Sequence, residues 1–442
     1  MVPVTQTSGV RRRVVLAATS MGLAVVQLDV SVVNVAIKPI GASLGGGVAA
    51  LQWVVDAYTL AFAALILTAG SLGDRFGAKR VFVTGFAVFT LASVACALAP
   101  DVTVLIAARA LQGVGAAALA SCSLSLLTHA YRDPAARARA VALWAAGAST
   151  ALAAGPVAGG ALIATLGWPS IFLINLPIGV AGISLTLRYA TDAPGGRAAL
   201  DPWGQVTAGV ALTAMAGATI EAGARGLADP LVLGGFAVAV VAGILFVIVE
   251  RGSAHPMLPL RLFAVPGFAM PVAIGLLVNV AFYGLIFVFS LYFQQEQRLS
   301  PLETGLMFTP MLGAIVAANV TAARLTRRVA PRPLIVTGAL LLAAACLAML
   351  PLAGPAVLAA AFAVEGFGLG LLVPVITATL MGSVSRTRSG VAAGTLNASR
   401  QTGSLLGVAA FGSLAALGDG LREALLISAL LAILAAVLGT RS

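Results

Sequence analysis

Apolar runs of about twenty residues recur along the whole chain, and short polar segments between them hold most of the charge. At 1.5 Å per helical residue, about twenty residues cross a hydrocarbon core of roughly 30 Å. Fourteen such runs lie near 14–37, 50–71, 80–99, 103–128, 138–164, 169–190, 203–223, 230–249, 267–292, 304–323, 333–351, 355–381, 389–415 and 423–440. Lipid offers the backbone no hydrogen-bond partner, so each run is predicted to be a helix that satisfies itself. The polar segments are asymmetric. With the N-terminus placed inside, 20 of the 26 Lys and Arg residues fall in cytoplasmic segments. Only Lys38, Arg225, Arg298 and Arg422 fall outside, and Arg109 and Arg400 lie within runs. Such a bias places both termini in the cytoplasm and supports an even number of spans.

The runs also repeat. "VTG" at 83–85 recurs at 336–338, and "QGVG" at 112–115 faces "EGFG" at 365–368, both at an offset of 253. Runs 3 and 4 thereby correspond to runs 11 and 12. The expected plan is two parallel six-span bundles, 1–192 and 263–442, joined by a two-span connector over 193–262.

Composition narrows the function. The chain of 442 residues is 60% hydrophobic and 9% charged, against about 25% charged in soluble domains; its mean hydropathy is +1.04. It reads as an integral membrane protein. The net charge of +11 is scattered over short segments with no basic domain, so no nucleic-acid partner is expected. Cys96, Cys122 and Cys346 lie far apart in apolar runs and read as packing residues. His129 and His255 stand singly, so no metal site is expected. No phosphate-binding "GxxxxGK[ST]" occurs, and the loops are too short for a nucleotide-hydrolysing domain. A primary pump is therefore not expected, no catalytic residue stands out, and an enzyme is not expected. Arg11 to Arg13 precede an apolar run with no cleavage signature, which reads as a retained first span. Twenty-four Arg against two Lys, with abundant Ala and Gly, suggest a GC-rich bacterial genome.

"GSLGDRFGAKRV", residues 70–81, places Gly70, Gly73 and Gly77 beside Asp74, Arg75, Lys79 and Arg80 between runs 2 and 3. It reads as a tight cytoplasmic glycine turn, either plain or acting as a charge latch through Asp74. In the second copy Gly70, Asp74 and Gly77 become Ala323, Arg327 and Ala330, and the acid is lost. On run 5, Gly147, Ala151, Gly155 and Gly159 recur every four residues and Pro156 removes a backbone donor. They read as ordinary close packing, or as a kinked seam that opens and closes.

These segments resemble the signatures of the major facilitator superfamily. "LDVSVVNVA" (28–36), "RALQGVG" (109–115), "AAGPVAGG" (153–160), "WPSIFLINLPIG" (168–179) and "NASRQTGSLLG" (397–407) are similar to those of its fourteen-span drug:proton antiporter family, including methylenomycin-type resistance exporters. Ala151 and Pro169 depart from that pattern. The resemblance implies an all-α membrane protein of the major facilitator fold, fourteen helices as 6+2+6. It also implies efflux of drug-like or amphipathic molecules by alternating access, driven by the proton gradient with no cofactor. The expected partners are a small-molecule substrate, protons and the bilayer; a monomer in a bacterial plasma (inner) membrane is expected. An exporter of an endogenous metabolite or self-made antibiotic, and a non-transporting sensor on the same fold, remain alternatives.

Charged groups inside runs mark ion paths by default. Asp29 is the first proton-coupling candidate: a carboxyl in a low-dielectric cavity can take a proton from one side and release it to the other as hydration changes. The resemblance places an acid there; the alternative is a structural hydrogen bond. Arg109 cannot lose its proton and must find partners, or else snorkel. The resemblance assigns it to the proton relay. Glu365, which matches Gln112 by repeat, is the third candidate. Substrate or cation contacts are expected from Asp56, Asn34, Gln112, Asn279, Tyr283, Glu221 and Arg400, the last pairing with Glu365 or with substrate. Aromatic Phe282, Phe287, Phe289 and Tyr292 are further lining candidates. By resemblance Gly70, Asp74, Arg75, Gly77, Lys79 and Arg80 form the gating motif. Gly155, Pro156, Gly159 and Gly160 form the exporter helix motif.

Overall fold

A computed structural model describes residues 4–131, 133–191, 201–254, 256–326, 328–352, 354–384, 389–415 and 420–441. His255, and Arg132, Arg197, Arg327, Arg386 and Arg388 from the charge asymmetry, lie outside the described residues, as does the 192/193 boundary. Every extended element is helical: α1 (Val4–Leu44), α2 (Val48–Phe76), α3 (Ala78–Ala97), α4 (Val102–Ala130), α5 (Pro134–Leu166), α6 (Ser170–Tyr189), α7 (Pro202–Arg225), α8 (Pro230–Gly252), α9 (Pro266–Glu296), α10 (Pro301–Leu325), α11 (Pro331–Met349), α12 (Pro355–Gly382), α13 (Ser389–Ala415) and α14 (Gly420–Gly439). A single 3₁₀ turn, Leu260–Ala264, precedes α9.

The boundaries follow local chemistry. Proline occupies the first turn of α5, α7 and α8, where no intrahelical donor is needed. The carboxylates of Asp101, Asp133, Asp201 and Asp229 accept from free backbone N–H groups at the starts of α4, α5, α7 and α8. Ser300 and Glu303 close a reciprocal cap on α10.

Each of the fourteen apolar runs is a helix. Among the described residues, thirteen are long and apolar enough to cross a membrane; α13 is the exception. Its Asn397, Arg400, Gln401 and Ser404 share one face at 100° per residue. The opposite side of α13 carries Ser399, which donates to the Val272 carbonyl, and Ser413, which donates to that of Thr219. The polar stripe is thus turned inward, away from α7, and lowers the hydropathy of α13.

The repeat at 253 is built into the packing. A Cβ on Gly85 would stand 3.2 Å from the Gly115 carbonyl oxygen, and one on Gly338 would stand 2.8 Å from that of Gly368. Gly113 abuts the Tyr58 carbonyl, and Gly366 abuts that of Met311. The matched glycines are therefore the crossing points of α3 with α4 and α2 with α4, then of α11 with α12 and α10 with α12. Pairings α1–α5, α1–α6, α2–α4, α3–α4 and α3–α6 recur as α9–α13, α9–α14, α10–α12, α11–α12 and α11–α14. Between these sets run two related seams, α2–α13 and α5–α10. Helix α7 lies along α2 and α13, while α8 packs chiefly on α7.

One expectation is corrected. The glycine-rich segment after run 2 is not a loop, because α2 stays helical through Phe76 and takes in Gly70, Asp74 and Arg75. Only Gly77, at φ 98°, breaks the helix, and it hands the chain directly to α3. Gly73 serves packing instead: a Cβ there would meet Cys122 Sγ at 2.7 Å.

Candidate functional site

Asp29 sits midway along α1, 1% exposed, at the centre of a closed polar network. Arg109 on α4, also 1% exposed, donates through Nη1 to Asp29 Oδ2 (2.5 Å) and to Gln112 Oε1 (2.6 Å). Its Nε donates to the Val54 carbonyl of α2 (3.0 Å), and its guanidinium lies 4.3 Å from the Tyr58 ring centroid. Gln112 Nε2 donates to Asp29 Oδ1 and to Ser93 Oγ, both at 2.8 Å. Asn175 on α6 donates to the same two oxygens at 3.2 Å. One carboxylate and one guanidinium offset each other, and four helices hold them by charge-assisted bonds. This geometry excludes snorkelling for Arg109.

The second half carries a worn copy of that site. At the 253 offset Gln112 becomes Glu365, Ser93 becomes Cys346, Asn175 becomes Ser428, Arg109 becomes Phe362 and Asp29 becomes Phe282. Phe362 lies 4.9 Å from Phe289 and 5.6 Å from Phe308, centroid to centroid, so aromatic packing stands where the ion pair would be. Glu365 Oε2 and Ser428 Oγ are buried without a partner among the described residues. Glu365 does not pair with Arg400.

Between the halves, Ser31, Asn34, Leu152, Pro156, Phe282, Tyr283, Ile286, Phe308, Met311 and Leu312 line a narrow crevice, part of it open to the exterior. This brings together the predicted Asn34, Tyr283 and Pro156. Asn34 Oδ1 is buried there without a partner, while its amide donates to the Val30 carbonyl. Asn279 lies one turn before Tyr283 on α9 and donates to the Gly275 carbonyl. Phe287, Phe289 and Tyr292 are not on the lining; they are core residues.

Other candidates stand apart from this network. Asp56 is fully buried, and neither carboxyl oxygen has a partner. Glu221 pairs with Arg225 one turn along the peripheral α7 (2.7 Å), so its bond closes on its own helix. Asp74 is exposed and has no ion-pair partner among the described residues, whereas Lys79 donates to the Leu187 carbonyl of α6 (2.9 Å). Arg75 lies over the ring of its neighbour Phe76.

The exporter helix motif divides between two faces. A Cβ on Gly155 would stand 1.8 Å from Ser31 Oγ, and one on Gly159 would press on Val32 and Val35, so both seal α5 to α1. Gly160 abuts the Leu302 backbone, and Gly305 abuts the Pro156 carbonyl, across the seam to α10. On the related seam Gln52 donates to the Ala409 carbonyl (2.8 Å). A third contact joins α1 to α9. Pro39 has no N–H for the Val35 carbonyl one turn back, and that carbonyl accepts from Gln294 Nε2 (3.2 Å). Ser290 donates to the Asn34 carbonyl (2.5 Å), and Lys38 donates to that of Gln294. All three contacts lie at the same end of the molecule.

Sequence reading missed Ser93, Asn175, Tyr58, Ser290 and Gln294. Ser93 and Asn175 each interrupt an otherwise apolar run, and that was the available signal. Gln294 was hidden among aromatic residues at the end of α9.

Two related helical bundles enclosing a buried ion pair and a central crevice define a polytopic membrane protein of the transporter type. A family profile described as Major Facilitator Superfamily matches residues 19–280 and 272–441, and the chain belongs to that superfamily. It is 40% identical to the methylenomycin A resistance protein of Streptomyces coelicolor, over 90% of this chain and 84% of that one. It is 36% identical to the multidrug resistance protein Stp of Mycobacterium tuberculosis (91% and 75%). It is 32% identical to the multidrug efflux pump LfrA of Mycolicibacterium smegmatis (93% and 82%). The fold also matches the human organic anion transporter MFSD10, with a TM-score of 0.66, 17% identity and coverage of 97% and 99%.

Proposed function

We propose that the chain is a proton-coupled exporter of drug-like or amphipathic small molecules that works by alternating access. The relatives named for drug efflux and antibiotic resistance support export. The observation that carries the coupling is the Asp29–Arg109 pair, sealed from water beside the crevice between the halves. Protonation of Asp29 removes the charge that holds Arg109 Nη1. Arg109 then keeps Gln112, the Val54 carbonyl and the Tyr58 face, all on α4 and α2, and α1 loses its ionic hold on them. Separating a buried pair costs about 3–5 kcal/mol, enough to bias a two-state equilibrium by a factor of more than a hundred. Glu365 sits in the place equivalent to Gln112, with no ion-pair partner among the described residues, and an ionised carboxylate there would be uncompensated; it serves as a second proton site.

In this reading the bundles 1–192 and 263–442 rock about the crevice, 193–262 rides along the α2–α13 seam, and both termini face the cytoplasm of a bacterial plasma membrane. With that orientation the α5–α10 and α1–α9 contacts and the Gln52–Ala409 bond of the α2–α13 seam are all extracellular, so this conformation is closed outside. No cofactor is required, and one chain holds the complete crevice.

The test is gradient-driven efflux from proteoliposomes. Asp29→Asn keeps the shape and abolishes the titrating group, so efflux is expected to vanish while the chain still folds, with a melting temperature lowered by the loss of the buried ion pair. Undiminished efflux overturns the coupling role of Asp29.

A further inference from the structure

Outside the ion-pair network, two carboxyls meet where the connector leaves for the C-terminal bundle. Asp201 precedes the first turn of α7, and its Oδ1 accepts from the Gly204 N–H (2.9 Å). Glu250 stands in the last turn of α8, 3% exposed, and its Oε2 accepts from the Leu258 N–H (3.1 Å). That leaves one oxygen on each, Asp201 Oδ2 and Glu250 Oε1, and both are buried without a partner among the described residues. They converge on one spot. A Cβ on Gly204 would stand 2.8 Å from Asp201 Oδ2 and 2.9 Å from Glu250 Oε1, so the missing side chain lets both oxygens approach the same side of α7. No cation offsets the second charge. Arg251 and Arg261, which flank Glu250 and the segment after it, are exposed and form no ion pair with either carboxyl among the described residues. Thr68 of α2 packs on this corner, donating to Gln205 Oε1 and lying 3.8 Å from Met257 Sδ; it is uncharged, as are Met257 and Leu258.

Two carboxyls that face each other in a buried corner, with no cation, do not both stay ionised. A proton needs only the two oxygens, whereas Ca²⁺ or Mg²⁺ takes about six or more. The N-terminus of α7 favours one negative charge beside it. We propose that Asp201 and Glu250 share one proton, and that this bridge is a proton-binding joint fastening the connector to the segment that enters the C-terminal bundle. The O–H of one carboxyl donates to the free oxygen of the other. When that proton leaves to water, two facing carboxylates remain and repel, and the hold of Glu250 on Leu258 loosens. Beyond Leu258 the chain enters the 3₁₀ turn at Leu260–Ala264, where Leu262 is buried with Phe268 and Leu396 of the C-terminal bundle. On the other side Gln205, next to Gly204, donates to the Ala64 carbonyl of α2 (2.8 Å). The joint thus stands between both bundles. Separated carboxylates hold no proton at neutral pH and the joint holds one, so its contribution to stability is present at acid pH and is lost as pH rises. It rests on the export reading only in being placed at the cytoplasmic face, where it answers to internal pH.

The test uses the purified full chain in nanodiscs, as wild type, Asp201→Asn, Glu250→Gln and the double variant. Each amide keeps the shape of the acid, and its NH₂ donates across the gap in place of the proton. Infrared spectra at neutral pH are expected to show a protonated-carboxyl C=O band in the wild type. Glu250→Gln removes one group's share of that band, Asp201→Asn removes the same share, and the double variant removes no more, because the proton belongs to the pair. The wild-type melting temperature is expected to fall by several degrees between about pH 6 and pH 9, and either single variant to abolish the same part of that fall. Adding Na⁺, Mg²⁺ or Ca²⁺ to the wild type is expected to change neither readout. No band sensitive to either variant, or a loss that doubles in the double variant, overturns the proposal. A cation that raises the melting temperature of the wild type and not of the variants also overturns it, by making the corner a metal site. If one single variant fails to fold, the other decides; failure of both overturns the proposal, since either amide supplies the bridging donor. Neither readout involves transport, so failure here leaves the export reading standing, and absence of gradient-driven flux leaves the joint standing.

Discussion

Ser93 and Asn175 carry no charge, yet each sets the geometry around Asp29. Gln112 and Asn175 both donate to Asp29 Oδ1 and are both held by Ser93 Oγ, which accepts from each, so that Oδ2 is left for Arg109. Removing a donor to a charged group costs about 1.5–3 kcal/mol in general, but polar contacts between membrane helices average nearer 0.6 kcal/mol. The network here is fully buried and bonded to a charge, so Asn175→Ala is expected towards the upper value, about 1–2 kcal/mol. Thermal unfolding in detergent reads this as a drop of a few degrees, and efflux falls with it. An unchanged melting temperature would show that the Arg109 pair alone holds α1. Asp29 and Arg109 were legible in the sequence because a charge in an apolar run demands explanation. Serine and asparagine in such runs are common enough to pass unmarked, and only packing shows that these two converge.

At the scale of helices, the exporter motif on α5 reads at first as one small-residue stripe. Its spacing of four shows that one face is smooth, and says nothing of which neighbour each glycine meets. The structure divides the work: Gly155 and Gly159 bind α5 within its own bundle, while Gly160 and the Pro156 carbonyl meet α10 across the seam. Gly305 is the sensitive point, since a Cβ there would stand 2.2 Å from the Pro156 oxygen. Overpacking of this kind costs about 1–3 kcal/mol, and the cost falls on a contact made between bundles. Gly305→Ala is therefore expected to shift the population out of this conformation by roughly tenfold. A cysteine at Leu302 would then react faster with a membrane-impermeant maleimide. The native thiols Cys96, Cys122 and Cys346 are buried and in no disulfide, so background labelling is low. Unaltered labelling would mean that the seam does not separate.

Across the whole molecule, the fourteen runs, the repeat offset and the matched glycines were all visible in the amino-acid string. Periodicity and small residues at crossings leave a direct mark on sequence. Contacts between the two bundles leave none, because Gln294, Ser290 and Gln52 bond to backbone carbonyls, which carry no residue identity. The glycine segment at 70–77 misled for a related reason: glycine reads as a turn, and here two of the three glycines are helical. If the closed end is extracellular, a cysteine at Asn397, on the exposed inner face of α13, should react from the cytoplasmic side. One at Gln294 should be protected from both sides. Impermeant maleimide applied to right-side-out and inverted vesicles checks this, and the reverse pattern would invert the orientation. The inward polar stripe of α13 bears on biogenesis. A nascent segment with Asn397, Arg400 and Gln401 near its middle gains little from partitioning alone into lipid, where a central arginine costs about 2.5–3.5 kcal/mol at the translocon. It needs α9 and α2 already in place to shield that face. The C-terminal bundle is therefore expected to complete its insertion by assembling onto the N-terminal one, so that a chain truncated before α13 stalls without a finished second half.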